Sequence, residues 1–376
     1  MFFILHPGAI LKPGSIQLLT QAAFFSSWTF IVILAKNELG ISDTAIAIVA
    51  ALFSTTMFFS SYYFGRASDY YGRRIFLYIG LLSCIGAFFL QVFIWDLWSY
   101  LAIRVLTGIC MGIFPSALIA YVHESKRKLG NFSSFGALGW LIGMIISGII
   151  AFYLFLRSVF IFSSILFIIA FIIALKLPPI EHKPIKVPLF PKHIIKKNLA
   201  VYLGVLVRHS GAHMMWVFWP LFLLSMGANY FWVGCIQAIN AISQFAVMFL
   251  ITDKIKSEKS VFFGLLLSGL TFLSFTLARN YIELLPTQIF LGMSWSFMYV
   301  GAIRYINERS DERGTAMGIL NSVISLSSII GSILAIVLIS IFGGYRWVII
   351  GASIMAFLGL GLYAMLLKKD EIKKKS

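Results

Sequence analysis

Apolar residues in this chain come in runs of about twenty, separated by short breaks rich in Gly, Asn, Asp, Lys and Arg. At a helical rise of about 1.5 Å per residue, each run covers about 30 Å, the thickness of a bilayer's hydrocarbon core. Twelve such runs are read, at residues 16–35, 43–64, 75–94, 98–122, 131–155, 158–177, 198–225, 230–252, 260–278, 283–306, 314–341 and 346–367. The longest break, Leu177 to Lys197, holds Pro178, Pro179, Pro184, Pro188 and Pro191 among lysines. Proline stiffens it and lysine keeps it in water beside anionic lipid. It divides the chain into residues 1–177, a linker 178–196 and residues 197–376.

Polar groups inside the runs are unevenly spread. Spans three, six, nine and twelve hold little beyond Ser and Thr, with Gln91 the exception. Strong hydrogen-bonding groups fall elsewhere: Gln17 and Gln21 in span one, Arg104 in four, and Arg208, His209 and His213 in seven. Gln237, Asn240 and Gln244 lie in span eight, Gln288 in ten and Asn321 in eleven. A polar group facing lipid costs several kcal/mol (about 2–7), so these groups must face protein or water. The apolar four are therefore expected to face lipid, and the rest to surround something wet. Gln237, Asn240 and Gln244 share one helix face, as do His209, His213, Trp216 and Pro220. Gln288, Trp295 and Tyr299 form a third stripe, and Asn321, Ser325 and Ser328 a fourth. Each stripe reads either as a cavity lining or as hydrogen-bonded packing between helices.

Composition agrees with a lipid solvent: 60% of residues are hydrophobic and 12% charged, with a mean hydropathy of +0.93. The net charge of +16 does not mean nucleic acid, because the basic residues cluster in the breaks. With both termini placed in the cytoplasm, 24 of the 30 Lys and Arg fall on the inner side and four on the outer. That bias sets both termini inside, in a multi-pass protein of the cytoplasmic membrane. Cys84, Cys110 and Cys235 stand singly, so neither disulfides nor a zinc site are expected. Met1 to Gly14 lacks a charged n-region and an Ala-x-Ala site, so no removable signal peptide is expected.

The two halves resemble each other at an offset of 184 residues. Asp69 aligns with Asp253, Gly108 with Gly292, Gly130 with Gly314, and Tyr121-Val122-His123-Glu124 with Tyr305-Ile306-Asn307-Glu308. Arg104 falls on Gln288. Past spans five and eleven the offset becomes 189, where Arg157-Ser158-Val159 meets Arg346-Trp347-Val348. The expected fold is an all-α membrane protein of twelve transmembrane helices in two pseudo-symmetric six-helix bundles.

One polar stretch stands out, Gly65-Arg66-Ala67-Ser68-Asp69-Tyr70-Tyr71-Gly72-Arg73-Arg74, expected to form a tight loop between spans two and three. Its spacing, Gly-x-x-x-Asp-x-x-Gly-Arg-Arg, resembles the loop between the second and third helices of the major facilitator superfamily. Arg104-Val105-Leu106-Thr107-Gly108 resembles that family's fourth-helix motif. The resemblance implies the twelve-helix fold of two repeats and transport by alternating access. The second loop copy, Ile251 to Lys259, keeps the aspartate and loses both glycines and the arginine pair, as second copies in the family often do. In span five Gly136, Gly139, Gly143 and Ser147 make a smooth face for close packing. The span lacks the proline that exporters of the family often carry there.

The residues suggest how such a machine would work. Gly65, Asp69, Gly72, Arg73, Arg74 and Glu124 form a candidate cytoplasmic gate. The Asp69 carboxylate can accept hydrogen bonds from arginine and from a helix N-terminus near Gly314 and Thr315, while Glu124 can reach Arg73 or Arg74. Candidate substrate contacts are Gln21, Trp28, Arg104, Arg208, His209, His213, Trp216, Gln237, Asn240, Gln244, Gln288, Trp295, Tyr299 and Asn321. Arg208 lies near the midplane with no carboxylate in the middle of any span. It reads as a group for an anionic substrate, as a cation solvated by the cavity, or as one held by carbonyls of a broken helix. His209 and His213 are candidates to carry a coupling proton, and each also reads as an ordinary hydrogen-bonded histidine. Pro115, Pro220 and Pro286 are candidate bends.

The function read is secondary transport of a small organic solute, proton-coupled, with an organic anion as one version. Proton-driven export of amphipathic compounds along Trp28, Trp216, Trp219, Trp295 and Tyr299 is the alternative. A non-transporting sensor is the alternative of another class; it would be expected to carry a cytoplasmic domain or a long tail, and the tail read here is Lys368–Ser376. No nucleophile–base set, third metal ligand or Gly-x-x-x-x-Gly-Lys-[Ser/Thr] motif occurs, so neither an enzyme, a metal, a cofactor nor ATP-driven transport is expected. The expected partners are a small-molecule substrate, a proton or other coupling ion and membrane lipid, with no nucleic acid, in a monomer.

Overall fold

A computed structural model describes residues 7–181, 184–228 and 230–375. Met1–His6, His182, Lys183, Asn229 and Ser376 lie outside the described residues. With them go part of the stretch read for a signal peptide and one linker lysine; the side chains of Lys36 and Cys235 are likewise outside. The regular elements among the described residues are all helical. Within a bilayer the helix satisfies every backbone group inside one segment, which is why apolar runs of this length fold so. The α-helices are α1 (Pro7–Ile33), α2 (Asp43–Tyr71), α3 (Arg73–Leu90), α4 (Leu97–Ile113), α5 (Pro115–Glu124), α6 (Leu129–Tyr153) and α7 (Ser158–Leu175). They continue as α8 (Lys192–Lys197), α9 (Leu199–Ser225), α10 (Tyr230–Leu250), α11 (Ser257–Leu277), α12 (Leu285–Arg309), α13 (Arg313–Phe342) and α14 (Tyr345–Lys375). Among the described residues eleven helical stretches are long and apolar enough to cross a membrane, and α9, at 27 residues, holds the seventh place in the order.

Local chemistry explains several boundaries. Asp96 caps α4: its carboxylate accepts from the Ser99 N–H at 2.8 Å, and the Ser99 hydroxyl accepts from the Asp96 N–H at 3.0 Å. The same serine holds the Asp96 carboxyl below the usual carboxylate range. The fourth span breaks at Phe114, because Pro115 cannot donate into the preceding turn and instead starts α5. Pro286, expected to bend span ten, sits in the first turn of α12, where its missing N–H costs nothing. α9 runs unbroken through Pro220.

The expected loop at 65–74 is almost entirely helix. α2 continues to Tyr71, α3 starts at Arg73, and Gly72 alone turns the chain, at φ 97°. Polarity marks where a helix leaves the lipid, and hydrogen bonding decides where it ends. Only glycine adopts that φ without strain.

The chain forms two compact units. One gathers Met1–Pro188 and Glu312–Ser322, and the other Leu189–Asp311 and Val323–Ser376. The internal repeat reappears as matched contacts inside each unit. In the first, Arg157 donates to the carbonyls of Val92 and Ile94 at 2.6 and 2.7 Å. In the second, Arg346 donates to those of Thr276 and Ala278 at 3.4 and 2.9 Å. Ser164 bonds the Ile85 carbonyl at 2.9 Å, and Ser353 the Gly269 carbonyl at 3.2 Å. Gly80 packs on Phe114, and Gly264 on Met298. Every pair keeps the offset of 184 or 189 read from the sequence.

Spans three, six, nine and twelve expose apolar faces, among them Ile75, Ile79 and Leu82 of α3 and Ile161, Ile165 and Ile172 of α7. Leu270 and Leu273 of α11 and Ile354 and Leu358 of α14 continue the pattern. Such faces are not confined to the four: Ile145 and Ile149 of α6 and Ile333 and Val337 of α13 are exposed too. A helix can show lipid one side and polar groups the other. Gln91 is fully buried, accepting from Ser27 at 2.5 Å and lying 3.5 Å from the Thr107 hydroxyl, so it binds helices together. In α6, Gly139 and Gly143 meet the backbone of Leu18 and Ala22 of α1 with no room for a Cβ, and Gly136 meets the Gln17 side chain.

Candidate functional site

Asp69 sits at the end of α2 with no exposed surface. A buried carboxylate must be fully partnered, and this one is. It accepts from the Gly314 N–H at 2.9 Å, the Thr315 N–H at 2.6 Å and the Thr315 hydroxyl at 2.5 Å, and pairs with Arg73 Nη1 at 2.6 Å. The two N–H groups belong to the first turn of α13, where the helix dipole favours an anion. Backbones must approach closely for this. A Cβ on Gly65 would lie 2.5 Å from the Gly314 carbonyl and 2.8 Å from Gly318 Cα, and one on Gly314 would strike Ser68 and Arg73.

Arg73 extends the network to Glu124 at 2.9 Å, at the end of α5, and to the Ser68 hydroxyl at 2.9 Å. Arg74 does not bond Glu124; it reaches one turn onward along α3 to the Tyr78 hydroxyl at 2.9 Å. Arg66 donates to the Val187 carbonyl at 2.6 Å, and the Ile185 N–H to the Asp69 carbonyl at 2.9 Å, so linker residues lie on the same cluster. Beside it opens a cleft of about 220 Å³ lined by Tyr71, Arg74, Tyr121, Glu124, Pro179 and Glu181. The linker contacts were not legible in the sequence, because a backbone carbonyl partner leaves no trace in residue identity.

Arg104 is 3% exposed, its guanidinium over the Phe53 ring at 4.1 Å and the Trp28 ring at 5.3 Å. Aromatic faces hold it by cation–π attraction, and its Nε has no hydrogen-bond partner among the described residues. Gln21 is half-buried on α1 against α6, and Asn321 donates to the Ser116 hydroxyl at 3.0 Å.

The second unit assembles the other candidates. Arg208, 2% exposed, donates through Nε to the Ser268 hydroxyl at 2.7 Å, approaches Ser294 at 3.5 Å, and places Nη1 3.3 Å from His209 Nδ1. The Phe272 and Trp295 rings lie 5.3 and 5.7 Å away. Hydroxyls, an imidazole and ring faces solvate this cation. The carbonyls of a broken helix do not, since α9 is continuous. His209, Trp295 and Tyr299 stack in a column, with centroids 5.0 and 5.1 Å apart. His213 meets His209 edge to face at 4.6 Å and lies 2.9 Å from Ser328 through Nε2. Asn240 accepts from Gln244 at 2.9 Å, and Gln237 is half-buried on the same helix. Gln288, at the position of Arg104 in the repeat, is fully buried, and neither amide atom finds a partner among the described residues. Trp216 is half-buried, while Trp219 is 1% exposed in a core with Phe222 and Phe275, so it packs as interior and does not line a wall. Ser268 carries no signal in the sequence, because a serine on an apolar span looks like filler.

Comparisons with known proteins agree with this architecture. The family model described as Major Facilitator Superfamily matches residues 15–250 and 231–376. The multidrug resistance protein MdtG of Proteus mirabilis is 34% identical over 172 residues, 42% of this chain and 41% of that protein. Its counterpart in Salmonella newport is 34% identical over 161 residues, 40% of each chain. The match thus spans about two fifths of these relatives' length. The crystal structure of the human organic anion transporter MFSD10 (TETRAN) superposes with a TM-score of 0.77 at 16% identity, covering 94% of this chain and 98% of that one.

Proposed function

Because this chain belongs to the Major Facilitator Superfamily, we propose that it moves a small organic anion across the cytoplasmic membrane by alternating access coupled to protons. The observation that carries the anion reading is Arg208: a buried cation solvated by neutral groups, with no carboxylate paired to it among the described residues. Its neutral partners leave a positive charge uncompensated, and a substrate carboxylate would compensate it. The aromatic column of Trp295 and Tyr299 gives an organic substrate an apolar face. Both termini lie in the cytoplasm in this reading, and the protein works as a monomer. The halves 1–177 and 197–376 rock about the linker 178–196, and the Asp69 cluster is the reversible cytoplasmic gate.

Counterflow in proteoliposomes tests this, with labelled benzoate and lactate set against the cationic dye ethidium. Benzoate exchange that falls at least tenfold in Arg208→Gln, with ethidium exchange absent, supports the anion reading. Ethidium exchange with no anion exchange replaces it with the second reading, proton-driven export of amphipathic compounds, which the MdtG likeness favours.

A further inference from the structure

The transport reading leaves two histidines, one turn apart, as carriers of the coupling proton. Donor and acceptor arithmetic separates them. An arginine only donates. With Arg208 Nη1 3.3 Å from His209 Nδ1, that nitrogen must be the acceptor, so the ring is neutral with its hydrogen on Nε2. Protonating His209 would set N–H against N–H, break the bond to Arg208 and place two cations on adjacent residues. The stack on Trp295 holds the ring in that orientation.

His213 is arranged otherwise. Its Nε2 lies 2.9 Å from the Ser328 hydroxyl, and that hydroxyl also lies 3.2 Å from the Ile324 carbonyl. A serine both donates and accepts. When His213 is protonated, its Nε2–H donates to Ser328, and Ser328 donates to Ile324. Rotation of one hydroxyl accommodates the added proton, no heavy atom moves, and the bond from α9 to α13 persists. The groups facing His213 are Arg208 and His209 on its own helix and Ser328 and Gly331 on α13. Through His209 it adjoins Trp295 and Tyr299 of α12, and among the described residues Arg208 is the charged group acting on it. That cation touches His209 directly, at 3.3 Å, and stands five positions before His213 in the chain, and like-charge repulsion falls with distance.

We infer that His213 carries the coupling proton, and that Arg208 is a positioning residue that keeps His209 neutral in a single tautomer. This rests on the proton-coupled reading above, and its test is read without transport. The full chain, labelled with ¹⁵N-histidine, is placed in lipid nanodiscs and titrated from pH 9 to 5 by NMR. His209→Gln and His213→Gln variants assign the signals. Both His213 nitrogens are expected to move to imidazolium positions, while His209 keeps one acceptor and one N–H nitrogen throughout. In Arg208→Met, His209 is expected to lose that fixed tautomer. Protonation of His209 before His213, or neutrality of both down to pH 5, overturns the assignment, and an unchanged His209 spectrum in Arg208→Met overturns the positioning role. If His213 titrates as stated yet flux ignores a pH gradient, the coupled-transport reading fails and takes the carrier role with it, while His213 as the titrating histidine and Arg208 as the positioning residue stand. With coupling intact, His213→Gln abolishes the gradient dependence, whereas His209→Gln slows flux and keeps it.

Discussion

The chain carries the same turn twice, at Ser68–Arg74 and at Thr252–Glu258, and only one of the two holds a buried charge network. In the first, Asp69 gathers three donors from α13 and pairs with Arg73, which pairs in turn with Glu124. At the repeat offset Arg73 becomes Ser257 and Glu124 becomes Glu308, and the bond survives at 2.7 Å from the serine hydroxyl. The turn itself changes: Gly72 at φ 97° gives way to Lys256 at φ −56°, and a 3₁₀ turn, Thr252–Lys254, replaces the end of the helix. Arg304 pins that turn to its own unit through the carbonyls of Thr252 and Ile255, at 2.9 and 2.7 Å. Asp253 is half-buried where Asp69 is wholly buried. The scaffold bond is thus kept in both copies, while the close-packed carboxylate is kept in one. A duplicated fold can hold its geometry and confine a buried charge network to one copy.

Paired substitutions break or sharpen this contrast. The largest effect is expected for Asp69→Asn, which leaves Arg73 and two buried N–H groups without their anion, a loss of about 3 kcal/mol or more. Transport should fall at least tenfold with insertion intact, whereas Asp253→Asn should stay within about twofold; equal losses in reconstituted flux would erase the distinction. Next comes Gly65→Val, whose added carbons meet the backbone of Gly314 and Gly318, at a cost of about 1–3 kcal/mol. The repeat position holds Phe249, 45% exposed, and Phe249→Ala should leave the melting temperature nearly unchanged. The smallest effect falls on the symmetric clamps. Arg157→Ala and Arg346→Ala should each cost about 1 kcal/mol, since both side chains are partly solvated. Similar shifts in melting temperature would confirm that the repeat is energetic as well as geometric.

Much of this was legible in the residues. The spacing of apolar runs marks the membrane-length helices in order, and the offsets of 184 and 189 set Arg157 opposite Arg346, whose carbonyl contacts match. The bond from Asp69 to the helix start at Gly314 and Thr315 follows from a carboxylate, a turn glycine and a free helix N-terminus. Other features were hidden. Arg74 and Arg73 are alike in sequence, but only Arg73 starts its helix on the face toward Glu124. Arg208 announced a polar site without naming Ser268 as its partner, since serines are common on apolar spans.

The sequence by itself determined which segments enter lipid and that they come as two copies, because hydrocarbon tests each run of residues locally, by length and polarity. Only the tertiary structure decided which donor each buried charge meets. Hydrogen bonds are short and directional, and Gly314 is brought to Asp69 by the packing of α2 on the first turns of α13, across 245 residues of chain.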